Sequence, residues 1–104
     1  GLWAQLELEE AGGGLRAPGE SVHFSCHGSG GIFRGDTIQW YRRAPRSSLE
    51  WVSFISSLGG VTKYGAAVES QVTASRDSFQ SQSSLHLRDL HPRDSAWYFC
   101  AFAR

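Results

Sequence analysis

Apolar and polar residues alternate along this chain in short runs, and glycine, proline and serine separate the runs. Between Gln5 and Glu10, Leu6 and Leu8 fall on one side and Glu7 and Glu9 on the other, which predicts a half-buried edge strand. Val22, Phe24 and Cys26 alternate with His23, Ser25 and His27, predicting a strand over Ser21 to His27 with the histidines and serine outward. The same reading places strands at Ile38 to Arg43, Leu49 to Ile55, Lys63-Tyr64 and Gln71 to Arg76, then around Leu85 and Leu87, and finally at Ala96 to Ala101. Trp51 and Phe54 are an odd number of positions apart, so a regular strand can turn only one of them inward. Breaks fall at Gly12 to Gly14, Pro18-Gly19, Gly28 to Thr37, Ala44-Pro45, Ser56 to Thr62 and Asp89 to Asp94, each rich in turn residues or charge. No stretch of useful length has a helical period. The pattern predicts an all-β domain of eight or nine short strands.

Composition narrows the functional classes. At 104 residues the chain has room for one domain and no second core. Lys plus Arg balances Asp plus Glu, which gives no electrostatic reason to expect nucleic acid or an acidic membrane as partner. No apolar run approaches the roughly 18 residues of a membrane span. Asparagine is absent, so this stretch holds no N-linked glycan acceptor. Gly1-Leu2-Trp3-Ala4 ends in a small residue, as signal-peptidase sites do, and is set apart as a leader remnant or tag, a short structured extension being the other reading; the domain is taken as residues 5–104. No G-x-S-x-G, H-E-x-x-H or P-loop is present, and Ser, His and Asp are scattered over outward positions, so no catalysis and no cofactor are expected. His23, His27 and His86 all fall at outward positions of their strands, but the reading assigns them to solvent and expects no metal.

Four residues then narrow the fold. Cys26 and Cys100 are the only cysteines, Trp40 lies between them, and Tyr98 precedes the second by two positions. This spacing resembles that of an immunoglobulin sandwich of the variable type, a Greek-key fold. The resemblance implies a Cys26–Cys100 disulfide between two sheets, with Trp40 packed against it and Tyr98 in the core. Such a cross-link would contribute roughly 4 kcal/mol. It also implies an oxidising setting, hence a secreted protein or cell-surface ectodomain. The family's last strand, strand G, is missing from the sequence given, which stops at Arg104. The edge of the Ala96 to Ala101 strand is therefore expected to be bare, or covered by a continuation of the chain or by a neighbour.

Gly12-Gly13-Gly14-Leu15, Ser25-Cys26, Trp40-Tyr41-Arg42, Ala44-Pro45, Leu49-Glu50-Trp51-Val52-Ser53, Ser75-Arg76-Asp77 and Asp94-Ser95-Ala96-Trp97-Tyr98-Phe99-Cys100-Ala101 together resemble an antibody heavy-chain variable domain. The resemblance implies non-covalent antigen recognition by three loops. Their candidate residues are Arg34, Asp36 and Thr37, then Phe54, Ser57, Leu58, Val61 and Lys63, then Phe102 and Arg104. It further implies a partner-domain interface of Tyr41, Arg43, Leu49 and Trp51, the partner being a light chain or a T-cell receptor gamma-type chain. Trp40-Tyr41-Arg42 is also similar to T-cell receptor variable domains, so a delta-type receptor chain fits as well as an antibody heavy chain. Arg43 stands where the family has a Gln that bonds its counterpart, an exchange a guanidinium cannot make. Gln71 replaces an Arg that bridges to the Asp matched by Asp94, so that ion pair is expected to be absent. Ser83 occupies a usually apolar position. A domain that acts singly, or a non-rearranged adhesion or co-receptor module, is the alternative. A longer sequence running into diverse residues and then Phe/Trp-Gly-x-Gly would separate a rearranged receptor from that module.

Overall fold

Two antiparallel sheets face each other in the computed structural model, which describes residues 3–7, 17–27, 37–77 and 82–103. The described strands are β1 (Trp3–Glu7), β2 (Val22–His27), β3 (Thr37–Arg43), β4 (Glu50–Ile55), β5 (Thr62–Tyr64), β6 (Val72–Asp77), β7 (Gln82–Leu87) and β8 (Trp97–Ala103). One sheet runs β1-β8-β3-β4-β5 and the other β2-β7-β6. The chain changes sheet four times, between β1 and β2, β2 and β3, β5 and β6, and β7 and β8. The disulfide joins Cys26 of β2 to Cys100 of β8, with Cα atoms 6.5 Å apart.

Period-two alternation decides which residues fill the space between the sheets. Val22, Phe24 and Cys26 of β2 are buried, as are Ser83, Leu85 and Leu87 of β7. From the facing sheet come Ile38, Trp40, Val52, Ile55, Tyr98, Cys100 and Phe102, and Val68 enters from the segment after β5. Each fully buried aliphatic or aromatic side chain contributes about 1.5–3 kcal/mol of transfer free energy, which makes this cluster the main support of the fold.

One departure from alternation reshapes β4. Trp40 lies opposite Ser53, but its neighbour Tyr41 lies opposite Trp51, so Val52 is an extra residue in β4. The bulge puts Val52 and Ser53, consecutive in sequence, both inside. Trp51 and Phe54 consequently both lie outside the buried core, which corrects the expectation that one of them would face inward. Nearby, Gly65 donates its amide to the Val52 carbonyl at 2.9 Å. A Cβ on Gly65 would lie 2.6 Å from the Trp51 carbonyl oxygen, so only glycine allows this approach.

The edge expected to be bare, or covered by a continuation of the chain or a neighbour, is paired instead with the first described strand. β1 pairs antiparallel with β8, running from Trp3 opposite Ala103 to Glu7 opposite Cys100. The predicted edge strand thus begins at Trp3 rather than Gln5 and takes in Trp3 and Ala4, which the sequence reading set apart. Pairing supplies partners to backbone groups of β8 over Cys100–Ala103 that an open edge leaves to water. Residues 8–10 and the glycine run that follows lie outside the described residues.

Candidate functional site

Residues directly opposite one another on paired strands share a face, so register defines the outer surface of the larger sheet. One row holds Trp51 of β4, Tyr41 of β3 and Phe99 of β8; the next holds Arg43 and Trp97. The Tyr41 and Phe99 rings stack with centroids 6.0 Å apart. Leu49, Trp51 and Trp97 are 53%, 36% and 61% exposed. Arg43 is exposed beside them. Sequence reasoning placed Tyr41, Arg43, Leu49 and Trp51 here but missed Trp97 and Phe99. The signal was available, since Tyr98 and Cys100 turn inward and their odd-numbered neighbours must turn out.

Behind this face, Arg42 points inward and organises a polar cluster at one end of the core. Its Nη1 donates to Asp94 Oδ1 at 2.9 Å and to the Tyr98 hydroxyl at 3.1 Å, and its Nε bonds Glu50. Asp94 Oδ2 also accepts from Gln71 Nε2 at 2.9 Å and from the His91 amide at 2.8 Å. Tyr98 donates in turn to the Asp94 carbonyl at 2.7 Å. The ion pair expected to be lost with Gln71 is therefore made by Arg42, and Gln71 adds a neutral bond to the same carboxylate. Burial alone would raise the Asp94 pKa; the donors from His91, Gln71 and Arg42 outweigh it and hold the carboxyl below its ordinary value. Burial pushes the Tyr98 phenol up. Burial would lower Arg42, but its bonds to Tyr98, Glu50 and Asp94 raise it.

The loop candidates divide. Thr37 opens β3 opposite Ala103, and Ile38 lies opposite both Ile55 and Phe102. The start of β3, the end of β4 and the end of β8 therefore meet at one end of the sandwich. There the turn after β4 is closed by bonds from the Ser56 amide to the Val61 carbonyl and from the Gly59 amide to the Ser56 carbonyl, both 2.9 Å. On it Ser57 is half-buried, while Leu58 and Val61 are exposed. Phe54 and Lys63, opposite each other, lie on the outer sheet face rather than on that turn. Phe102, expected on the third loop, is 1% exposed and belongs to the core, because the inward alternation of Tyr98 and Cys100 continues to it. Arg34, Asp36 and Arg104 lie outside the described residues.

With this architecture in hand, comparison with known families places the chain: residues 15–104 match the immunoglobulin V-set domain, and the chain belongs to that family. V-set domains are typically non-enzymatic modules that bind other proteins or pair with another domain. No helix among the described residues is long and apolar enough to cross a membrane.

Proposed function

We propose that this chain is the antigen-recognition variable domain of an adaptive immune receptor, of antibody heavy-chain or T-cell receptor delta type, working outside the cell. It binds antigen non-covalently at the end of the sandwich that bears Thr37, Ser57, Leu58 and Val61. It pairs through the outer face of β3, β4 and β8 with a second variable domain, a light chain or a gamma-type chain. The observation that supports this reading is the grouping of Trp51, Tyr41, Phe99 and Trp97 on one sheet face, with Trp51 and Trp97 substantially exposed and Leu49, just before β4, exposed as well. A single Trp offers on the order of 200 Å² for burial, and bare aromatic patches of this kind are association surfaces.

Co-expression with a light-chain variable domain and, separately, with a gamma-type variable domain tests the pairing. A stable heterodimer with one of them in sedimentation, weakened at least about ten-fold by Trp51→Ser, is the expected result, since central aromatic residues dominate such interfaces. A chain that stays monomeric with both partners would overturn it.

A further inference from the structure

The smaller sheet carries a feature that pairing and antigen binding leave unused. β2 and β7 pair without a register shift from Val22 opposite Leu87 to His27 opposite Gln82, which sets His23 directly across from His86. The two rings stack with centroids 4.0 Å apart and planes 4° from parallel. Val22, Phe24, Leu85 and Leu87, the inward neighbours of both histidines, are buried, so the pleat of both strands is locked and both imidazoles are held on the outer face.

We propose that His23 and His86 form a two-imidazole site for a divalent transition-metal ion, Cu(II), Ni(II) or Zn(II), on the outer surface of the β2-β7-β6 sheet. Neutral imidazole offers one lone pair per ring, and these borderline ions favour imidazole nitrogen. Two nitrogens bound side by side on one ion, each near 2.0–2.1 Å from it, are roughly 3 Å apart. The ring centroids are already 4.0 Å apart, and rotation about the side-chain bonds would turn one nitrogen of each ring toward a shared ion. Water completes the coordination, because His23 is exposed and His86 only half-buried.

The surroundings favour the neutral form of the His86 ring, the form that binds a metal. Ser25 and Ser84 face each other in the next row, and Thr73 of β6 stands opposite His86 on its other side. The nearby cation, Arg88, donates to Thr73 Oγ1 at 2.8 Å. Partial burial, the adjacent His23 and the Arg88 charge all lower the His86 pKa. His27 lies two rows further along β2, roughly 13 Å from His23 at strand rise, and takes no part. Among the described residues no group of three or more His, Cys, Asp or Glu side chains is placed to hold a metal, so the protein supplies two ligands.

The test is titration of the whole chain with CuSO4, NiCl2 or ZnCl2 near neutral pH by calorimetry, with EPR of the copper form. One bound ion and an EPR signal from two equatorial imidazole nitrogens are expected. His23→Ala or His86→Ala should each weaken binding by more than about ten-fold, since each removes a direct ligand, while His27→Ala leaves it unchanged. Binding should disappear as acid protonates the imidazoles. His23→Gln and His86→Gln, which keep a polar side chain on the surface, should behave like the alanine variants while circular dichroism stays native. Absence of binding, a one-nitrogen signal, or affinity unchanged in both single variants would overturn the proposal.

Discussion

The indole nitrogen of Trp40 donates to the Ser83 hydroxyl at 3.0 Å, and that hydroxyl donates onward to the Ser75 carbonyl at 2.7 Å. A buried Trp needs a partner for its N–H, and the fully buried Ser83 supplies it across the gap between sheets. Ser83→Ala strands that N–H in the core and should cost about 1–3 kcal/mol. Urea denaturation of the variant, with an unchanged slope and a lower midpoint, is the check.

The Asp94 carboxyl has its pKa depressed in the folded chain. On acidification the unfolded chain takes up this proton first, so protonation favours unfolding. The contribution of Asp94 is therefore complete above the ordinary carboxylate value near 4 and fades as pH falls through the lower, folded value. Its side chain is fully buried against Arg42, and Asp94→Ala, which leaves that guanidinium without its carboxylate, should cost about 3–5 kcal/mol near neutral pH. Melting temperatures of both proteins across the acid range should converge as pH drops. A constant gap would contradict the assignment.

Gly65 packs its α-carbon against the Trp51 backbone, and the obstacle to a side chain there is a carbonyl oxygen, which cannot swing away as a side chain would. Gly65→Ala should destabilise by about 1–3 kcal/mol, a typical overpacking cost, whereas Gly60→Ala, with open space around it, should stay within about 0.5 kcal/mol. Thermal melts of the pair decide it.

Trp97 adds area to the outer face without supporting the fold. At 61% exposure, Trp97→Ser should leave the unfolding free energy within about 0.5 kcal/mol of the parent. Association with a partner variable domain should weaken measurably in sedimentation. A stability loss with association intact would reverse these roles.

The inward faces of β2, β7 and β8 could be read from the chain because local alternation and burial coincide there. Phe102 was within reach of the same rule, had the last strand been carried past Ala101. Other features depend on which strand lies beside which, and no local pattern encodes that. The extra residue Val52 becomes visible only when β4 is set against β3, and it moves both Trp51 and Phe54 out of the core. Arg42 reaches Asp94 because β3 lies beside β8 and close to the turn before it, so a lost Arg at Gln71 did not mean a lost ion pair. The outward histidines were legible one by one, but their stack needs the β2–β7 register. Coverage of β8 by β1 joins strands from opposite ends of the chain, and the Gly-rich segment after β1 gave no hint of where it would pair.

The β1–β8 ladder also sets how the domain would answer a mechanical load. Trp3 and Ala103 lie side by side at one end of an antiparallel ladder. A pull between these two points would open the ladder pair by pair from Trp3 toward Glu7, the arrangement of a zipper rather than of strands sheared along their length. Tearing would then meet Cys100, where the bond to Cys26 closes most of the chain into a covalent ring that tension cannot lengthen. Under force the domain would thus give way first at β1 and could then release chain only as far as Cys26, with the core residue Trp40 lying inside the protected ring.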